Sequence, residues 1–292
     1  MSECVAIVGA GRMGLALGAA LRMSGDLDQL VFMGRALEPP PHPIFDAAGS
    51  APGAVYMMGP APLPADTTLV VLAVPDSALA EVAHDLSLAG PAPAGCVALH
   101  LSGALSAEVL GPLHAAGYAT GTMHPLQSVA DPWLSADRMM GIAFAISGEP
   151  AALRAARRIA GLLDGVAIVV PPAQRPLYHA AAATASNGVV ALMAAACRWL
   201  EEVGLPPQES LAALLPLMQG TLDNLRHLGV AGALTGPIAR GDVDTVRLHL
   251  SRLSGRDRSL YCALGREALL VARTAGLDPH KAEAIESLFG SH

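Results

Sequence analysis

Residues 5–14 read Val-Ala-Ile-Val-Gly-Ala-Gly-Arg-Met-Gly, an apolar run that leads directly into a Gly-x-Gly-x-x-Gly turn. The run predicts a β-strand, and the small and apolar residues between Arg12 and Met23 predict a helix. A strand, a glycine-rich turn and a helix in this order are typical of a dinucleotide-binding βαβ unit. The stretch therefore predicts an α/β fold with a nucleotide site at its first turn.

Each glycine of this turn has a physical task in such a unit. Gly9 permits the tight turn, Gly11 lets the backbone approach a pyrophosphate, and Gly14 lets the helix pack closely on the strand. The helix N-terminus offers free N–H groups and a partial positive charge to the phosphates. The predicted pyrophosphate site comprises Gly9, Ala10, Gly11, Arg12, Met13 and Gly14.

The ends of the next two predicted strands indicate which cofactor binds. Sites for NAD usually carry an Asp or Glu about 20 residues beyond the turn, whereas this chain has Gly34-Arg35 there. An arginine suits a 2′-phosphate through paired charge-assisted hydrogen bonds, which favours NADP(H). A solvated surface arginine, and with it an NAD-linked dehydrogenase, remains the alternative. Ala73-Val74-Pro75 ends the next strand and is predicted to lie beside the cofactor, because ligands bind at the carboxyl ends of the strands.

Strands and helices alternate through the first part of the chain and then give way to helices alone. This pattern predicts a doubly wound, mostly parallel sheet in residues 1–171 and an all-α second domain in residues 172–292. The prolines of residues 39–43 predict a loop in place of the second crossover helix. Asp76 or Ser77 is predicted to cap the helix that follows the third strand. The predicted strands are Val5–Val8, Leu30–Met33, Thr68–Val74, Cys96–Leu101, Ala119–Met123, Gly141–Ile146 and Val166–Val170.

Composition narrows the class of protein. The chain has 292 residues, 52% of them hydrophobic, and a formal net charge of −7 without a basic run, which argues against a disordered chain and against a nucleic-acid partner. The four cysteines are widely spaced, so neither a metal site nor a disulfide framework is predicted, and a cytoplasmic location fits. Residues 177–197 carry no charged side chain, but polar residues and many alanines interrupt them. We interpret this segment as a helix buried in a protein core or a dimer interface rather than in a membrane.

Several strings of the sequence resemble known families. The glycine turn, Gly34-Arg35 and Leu72-Ala73-Val74-Pro75 resemble pyrroline-5-carboxylate reductase and the superfamily with a 6-phosphogluconate-dehydrogenase-like C-terminal domain. A closer resemblance is to a family that joins a Rossmann-like NADP-binding domain to a helical C-terminal domain of unknown function, and it implies an oxidoreductase fold and a homodimer formed through the helical domain. The strings that carry it are Leu101-Ser102-Gly103-Ala104, Met123-His124-Pro125-Leu126-Gln127-Ser128, Tyr178-His179-Ala180-Ala181-Ala182 with Ser186-Asn187, and Thr235-Gly236-Pro237 with Arg240-Gly241-Asp242.

The chain also resembles prephenate dehydrogenase more loosely. In that enzyme a serine at one strand end and a histidine in a His-Pro string at the next act together on the substrate. Ser102 and His124-Pro125 stand in comparable places, but Leu126-Gln127 follows where that enzyme has a glycine-containing continuation. The resemblance therefore implies a related site with a different substrate.

Histidines are the predicted acid/base groups. Relatives in the superfamily use a lysine of the helical domain, whereas the single lysine here is Lys281, close to the carboxyl end. Histidine is the natural replacement because its unperturbed pKa lies near neutrality. His124 follows a strand at the ligand-binding edge, and Ser102 could bond the substrate oxygen or orient His124. The alternative is that His124 only ties its loop to the backbone and that Ser102 starts a turn.

His179 and Asn187 are the second pair of candidates. His179 opens the long apolar helix, Ser186 lies on the same helical face, and Asn187 lies on its flank. The resemblance implies that this helix faces the cleft, so these groups would line a substrate site. A core histidine with internal helix hydrogen bonds is the alternative.

These observations predict an NADP(H)-dependent oxidoreductase. It would transfer a hydride between nicotinamide and a C=O/CH–OH or C=N/CH–NH group of a small metabolite. The other hypothesis is an NADP(H)-binding sensor or scaffold protein without turnover. A small-molecule substrate and a second copy of the chain are the expected partners, and no nucleic acid or membrane is expected.

Overall fold

The fold is built around a single sheet. The computed structural model describes residues 3–46, 53–131, 133 and 136–290. Its strands are β1 (Glu3–Val8), β2 (Leu27–Gly34), β3 (Val55–Met58), β4 (Leu69–Leu72), β5 (Val97–His100), β6 (Ala119–Pro125), β7 (Ala143–Gly148) and β8 (Val166–Val169). They lie in the order β3-β2-β1-β4-β5-β6-β7-β8, and only β6 and β7 pair antiparallel. The predicted doubly wound, mostly parallel sheet is confirmed.

Helices cover both faces of the sheet. The first of them, α1 (Arg12–Met23), has the predicted bounds, and the later ones of this part are α2 (Leu79–Ala89), α3 (Gly111–Ala115) and α4 (Pro150–Leu162). One buried core joins α1 and α4 to one face, and a second joins α2 and α3 to the other. A methyl group on Gly18 would overlap the Phe32 ring, so this glycine lets α1 lie close to β2. Between β2 and β3 the described residues form one 3₁₀ turn, Pro43–Phe45, as the prolines predict.

The carboxyl-terminal part is helical, as predicted. Its helices are α5 (Arg175–Ala183), α6 (Val189–Glu202), α7 (Pro207–Ala233), α8 (Gly236–Arg240), α9 (Val243–Arg252), α10 (Gly255–Thr274) and α11 (Pro279–Phe289). Contacts divide the chain into two compact units, residues 1–186 and 187–292. The predicted boundary at residue 171 falls earlier than this division, because α5 begins with an arginine that bonds to the loops of the sheet. The second unit has its own core, which includes Val246, Leu269 and Phe289.

One helical stretch has the length and composition of a membrane span. It runs from Pro172 to Glu202, and 6% of its most apolar window is buried. Length and composition alone are weak evidence for a membrane, because the core helix of a soluble protein meets the same criteria. The low burial argues against the interpretation of this stretch as a core helix within one chain.

An ion pair joins the buried Glu3 of the first strand to the exposed Arg158 of α4. The Glu3 side chain is buried, and its carboxylate pairs with Arg158 and accepts a hydrogen bond from the Thr68 hydroxyl at 2.7 Å. We expect Arg158→Ala to lower the free energy of unfolding by about 1–3 kcal/mol, because a buried carboxylate is left without its cation. Urea unfolding measures this loss. Arg157→Ala is the matched control, because the exposed Arg157 forms no ion pair with a described residue. Equal losses in the two variants would contradict the assignment.

Candidate active site

The glycine turn between β1 and α1 leaves room for a ligand at one point only. Gly9 has a φ of +116°, and a methyl group on it would lie 2.5 Å from the carbonyl oxygen of Ala73. A methyl group on Gly14 would overlap the Gly9 carbonyl oxygen, whereas one on Gly11 would meet nothing within 4 Å. The turn is therefore packed against β4 and α1 on its inner side and open at Gly11.

The start of α1 is suited to an anion. Its N-cap residue is Gly11, which provides no side chain to bond the first N–H groups, and the first turn contains no acidic residue. The strand before it, β1, lies between β2 and β4, where the strand order reverses. Ligands of open α/β sheets bind at such a switch point, outside the carboxyl ends of the strands. The geometry fits a dinucleotide pyrophosphate.

Arg35 follows β2 at the same edge and is free to bind a ligand. Its side chain is exposed and forms no hydrogen bond or ion pair with any residue that the structure describes, and the same holds for Arg12. The bend that carries Arg35 is held by Tyr56, whose hydroxyl donates to the Ala36 carbonyl at 3.0 Å. A methyl group on Gly34 would overlap that hydroxyl, so a glycine is needed there.

Two of the predicted catalytic residues meet at the ends of β5 and β6. The rings of His124 and His179 lie 5.6 Å apart and perpendicular to each other. The Nδ1 atom of His124 lies 2.8 Å from the Tyr178 hydroxyl, which comes from α5 like His179. Tyr178 was not among the predicted site residues. Its position directly before His179 in the sequence is a signal that could have suggested it.

Both imidazoles lie directly against Gly103, and the point between their facing nitrogen atoms is called the gap. A methyl group placed on Gly103 would overlap His179 Nδ1 and lie 3.0 Å from His124 Nε2. His179 Nδ1 is buried, and no described residue hydrogen-bonds to it. Buried polar atoms nearly always have a partner, so this nitrogen is an unsatisfied group of the site.

Burial sets the protonation of the site. Burial, with smaller contributions from the nearby His179 and Arg175, lowers the pKa of His124 to about 4 against the opposing effect of Asp76. Burial also raises the pKa of Tyr178, against the opposing effect of the Arg175 charge. At neutral pH the imidazole of His124 is therefore neutral and the phenol is protonated. A phenol that donates to His124 Nδ1 places the imidazole proton on Nε2, the atom that faces the gap.

Ser102 forms no hydrogen bond with His124 among the described contacts and instead bonds the backbone of its own loop, in agreement with the alternative that it starts a turn. Its hydroxyl donates to Asp76 Oδ2 at 2.8 Å and accepts hydrogen bonds from the backbone N–H groups of Ala104 and Leu105, at 3.3 and 3.1 Å. The predicted helix cap at Asp76 or Ser77 is wrong, because neither α2 nor the 3₁₀ turn before it has a side-chain cap. The Asp76 carboxylate instead accepts the Ser102 hydroxyl.

Two buried residues beneath the gap were not predicted. Arg175 is fully buried at the start of α5 and bonds to the loop that follows β5. His100 is fully buried at the end of β5, accepts a hydrogen bond from the Ser102 N–H at 3.1 Å, and lies 3.0 Å from the Ser106 carbonyl oxygen. Burial lowers the pKa of His100 to about 4, so it is neutral at neutral pH.

Asn187 and Lys281 belong to the second unit. Asn187 is exposed within a turn of π-helix, Thr184–Gly188. The predicted face shared by His179 and Ser186, with Asn187 on its flank, assumed an uninterrupted α-helix, and the π turn departs from that geometry. The single lysine, Lys281, lies in α11 beside a hollow of about 250 Å³ that Arg240 and Asp278 also line.

The order of the strands in the sheet and the glycine turn between β1 and α1 together define a Rossmann-like α/β protein. More particularly, the chain joins a Rossmann-like domain, matched over residues 2–125, to a domain of unknown function (DUF2520), matched over residues 142–268. The resemblance that the sequence predicts is therefore confirmed. The second match includes β7, α4 and β8 as well as most of the helices that follow. No curated protein matches the sequence.

Solved structures share the fold over nearly the whole chain. Protein TM1727 from Thermotoga maritima has a TM-score of 0.69 at 24% identity and covers 92% of this chain and 98% of its own. Plasmodium falciparum pyrroline carboxylate reductase with NADP bound has a TM-score of 0.63 at 12% identity, with coverage of 99% and 98%. The Aspergillus terreus reductive aminase, in complex with NADPH and ethyl-5-oxohexanoate, has a TM-score of 0.58 at 16% identity, with coverage of 99% and 93%. The chain therefore shares its fold with these proteins over nearly its whole length.

Proposed function

We propose that the chain is an NADP(H)-dependent oxidoreductase. It transfers a hydride between nicotinamide and a C=O/CH–OH or C=N/CH–NH group of a small metabolite. The observation that carries the proposal is the gap above Gly103, where nitrogen atoms of two histidines converge at the same sheet edge as the glycine turn. Two of the proteins with this fold, a pyrroline carboxylate reductase and a reductive aminase, have structures with NADP or NADPH bound.

The cofactor assignment rests on the fit of the residues at that edge. The open point at Gly11 and the uncapped start of α1 suit the pyrophosphate, and the free Arg35 suits the 2′-phosphate. Ala73, Val74 and Pro75 follow β4 beside the turn and would line the nicotinamide side. Bound NADPH would supply the hydride.

The protein's part in the reduction is proton delivery. His124 Nε2–H hydrogen-bonds the carbonyl oxygen or imine nitrogen of the substrate and gives it a proton as the hydride reaches the neighbouring carbon. Tyr178 gives its hydroxyl proton to His124 Nδ1 in the same step, so the imidazole stays neutral and the phenol becomes a phenolate. The Arg175 charge favours this transient phenolate. The starting state returns when the Nδ1 proton goes back to the phenolate and Nε2 takes up a proton from water. Oxidation runs through the same groups in reverse.

The remaining predicted residues take lesser roles in this proposal. His179 Nδ1 binds a second polar group of the substrate, because it is buried and lacks a partner among the described residues. Ser102 holds the loop beneath the gap, since its hydroxyl is engaged by Asp76. The role of Asn187 at the substrate stays a prediction.

The experiment that tests the function is a turnover assay. The purified chain is mixed with NADPH and a panel of small ketones, aldehydes and cyclic imines, and the loss of NADPH is followed by absorbance. We expect turnover with at least one member of the panel. NADPH binding without turnover of any of them would favour a sensor or scaffold protein instead.

Arg35→Ala tests the choice of NADPH over NADH. We expect the variant to weaken NADPH binding by about 10- to 100-fold, because each hydrogen bond between charged groups contributes about 1.5–3 kcal/mol. NADH has no 2′-phosphate, so its Kd should change little. Titration calorimetry measures both constants. Arg12→Ala is the matched control and should weaken the two cofactors alike, because both carry the pyrophosphate. Equal losses of the two cofactors in Arg35→Ala would contradict the assignment.

We further propose that the chain forms a homodimer and that it is located in the cytoplasm. The helices of the second unit expose large apolar side chains, among them Val190, Leu217, Leu228 and Val230. Exposed apolar surface of this kind marks an interaction site, and we assign it to a second copy of the chain. The four cysteines are free thiols, which suits a reducing compartment.

A further inference from the structure

Arg175 is fully buried and is held by acceptors from two different segments of the first unit. Its Nε donates to the Leu105 carbonyl at 2.7 Å, Nη1 donates to Thr122 Oγ1 at 2.8 Å, and Nη2 donates to the Ser102 carbonyl at 2.5 Å. It forms no ion pair with a carboxylate of the described residues. A buried charge is costly unless hydrogen bonds replace its water, and here three neutral acceptors do so.

The position of Arg175 in its helix adds a second cost. It is the first residue of α5, where the helix dipole favours anions and disfavours cations. A neutral residue would be the better choice for the stability of α5. Helix formation therefore does not explain why a guanidinium stands at this point.

The three contacts of Arg175 surround the gap that holds the two histidines. Ser102 and Leu105 lie on either side of Gly103 in the loop after β5. Thr122 lies on β6 two residues before His124, and its hydroxyl is 2.9 Å from that of Ser147 on β7. The helix that Arg175 begins also carries Tyr178 and His179. The planar, rigid guanidinium of Arg175 therefore joins the loop, the strand and the helix that carry the residues around the gap.

We propose that Arg175 is the positioning residue of the active site, which fixes the placement of His124 and His179 against Gly103. The inference rests on the proposed function, because this placement matters for turnover only if the histidines act on a substrate. The hydrogen bonds of the guanidinium go to Leu105, Thr122 and Ser102 and not to either histidine. Arg175 acts through the loop, the strand and the helix that it joins.

The charge of Arg175 has an effect that a neutral clamp would not have. It lowers the pKa of His124 in the same direction as burial does, and it opposes the effect of burial on the pKa of Tyr178. Loss of the charge should therefore raise both pKa values, and the imidazole should take up a proton at a higher pH. A residue that only stabilised the fold would not shift the titration of a histidine while the fold was retained.

Two substitutions test the inference, Arg175→Met and Arg175→Lys. The imidazole resonances of His124 and His179 are titrated by NMR on histidine-labelled protein, and the Kd of NADPH and the kcat of the turnover assay are measured on the same samples. We expect Arg175→Met to raise the pKa of His124, to lower kcat by about 10- to 100-fold through misplacement of the histidines, and to leave the Kd of NADPH unchanged. Arg175→Lys keeps the charge but not the fork of donors. It should retain the low pKa of His124 and restore kcat only in part.

A control and a milder variant complete the test. Arg266→Met removes an arginine that donates to the Phe289 carbonyl at 2.7 Å in the second unit, and it should change neither titration nor kcat. If Arg175→Met does not fold, Thr122→Val removes one of the three acceptors and should lower kcat in the same direction by less. A folded Arg175→Met protein with wild-type histidine resonances and pKa overturns the inference. The NMR readout needs no turnover, so it stands even if the proposed enzyme activity fails.

Discussion

Replacing His124 by phenylalanine is expected to lower kcat for NADPH oxidation by a factor of about 10² to 10⁴, the usual contribution of one acid/base group. Phenylalanine keeps an aromatic ring in the half-buried site but removes the Nε2 proton donor that faces the gap and the Nδ1 acceptor of Tyr178. The Kd of NADPH should stay the same, because the glycine turn and Arg35 are untouched. Steady-state kinetics with the best substrate of the panel and calorimetric titration of NADPH measure the two quantities.

The second unit offers a matched control for this substitution. His249 Nδ1 lies 2.8 Å from the Tyr261 hydroxyl, and the two rings are perpendicular with centroids 5.7 Å apart. This pair repeats the His124–Tyr178 geometry within the second unit, and neither residue has a part in the proposed proton delivery. His249→Phe should therefore leave kcat unchanged. Similar losses in both variants, or none in His124→Phe, would remove His124 from the reaction.

The pH profile gives a second readout for His124. Because burial lowers its pKa to about 4, the imidazole is neutral both at pH 8 and at pH 5, and it gains a proton only below that range. The wild-type kcat should therefore show no step near 6.5, the ordinary pKa of histidine. The same lowered pKa costs stability in acid: the unfolded chain takes up the proton as the pH falls through about 6.5, and the folded chain does so only near 4.

The proposed nucleotide-binding half of the site is local in sequence, so the elements that form it could be predicted. The strand, the glycines and α1 lie within residues 3–23, and the observed bounds of α1 equal the predicted ones. Strand β3 was missed because Val55–Met58 is a four-residue, partly exposed edge strand without a clear alternation. Helix α11 was missed too. It begins at Pro279 after an Asp278 cap, and that signal was present in the sequence.

The catalytic half depends on contacts between distant residues. His124 and Tyr178 are 54 positions apart, and Arg175 and Ser102 are 73 apart. The histidines could be selected as candidates because imidazole is an acid/base group. Their hydrogen-bond partners could not be predicted, because those partners lie far away in the sequence. Asp76 shows most clearly what the sequence alone does not predict. Its position before α2 suggests a helix cap, whereas in the fold its carboxylate accepts a hydrogen bond from Ser102, 26 positions away. Tertiary contacts override such local preferences.

Gly103→Ala is expected to abolish turnover while cofactor binding persists. The added methyl group would overlap His179 Nδ1 and lie 3.0 Å from His124 Nε2, so both imidazoles would have to move away from Gly103. Gly103 is not among the glycines with positive φ, so alanine imposes no backbone strain. We expect kcat/KM to fall by a factor of about 10² or more, as misplaced acid/base groups lose their effect. The midpoint of thermal unfolding should fall too, because a buried imidazole is displaced, and retained NADPH binding shows that the variant is folded.

Gly111→Ala is the matched control for Gly103→Ala. Gly111 lies in the same unit at the start of α3, and a methyl group there would meet nothing within 4 Å. It should leave kcat/KM and the Kd of NADPH at wild-type values. Wild-type activity of Gly103→Ala would mean that no substrate enters between the histidines, and the proposed proton delivery would fail with it. Loss of turnover with NADPH affinity intact would separate the two halves of the site, because the dinucleotide depends on the open Gly11 and proton delivery depends on the packing of the histidines against Gly103.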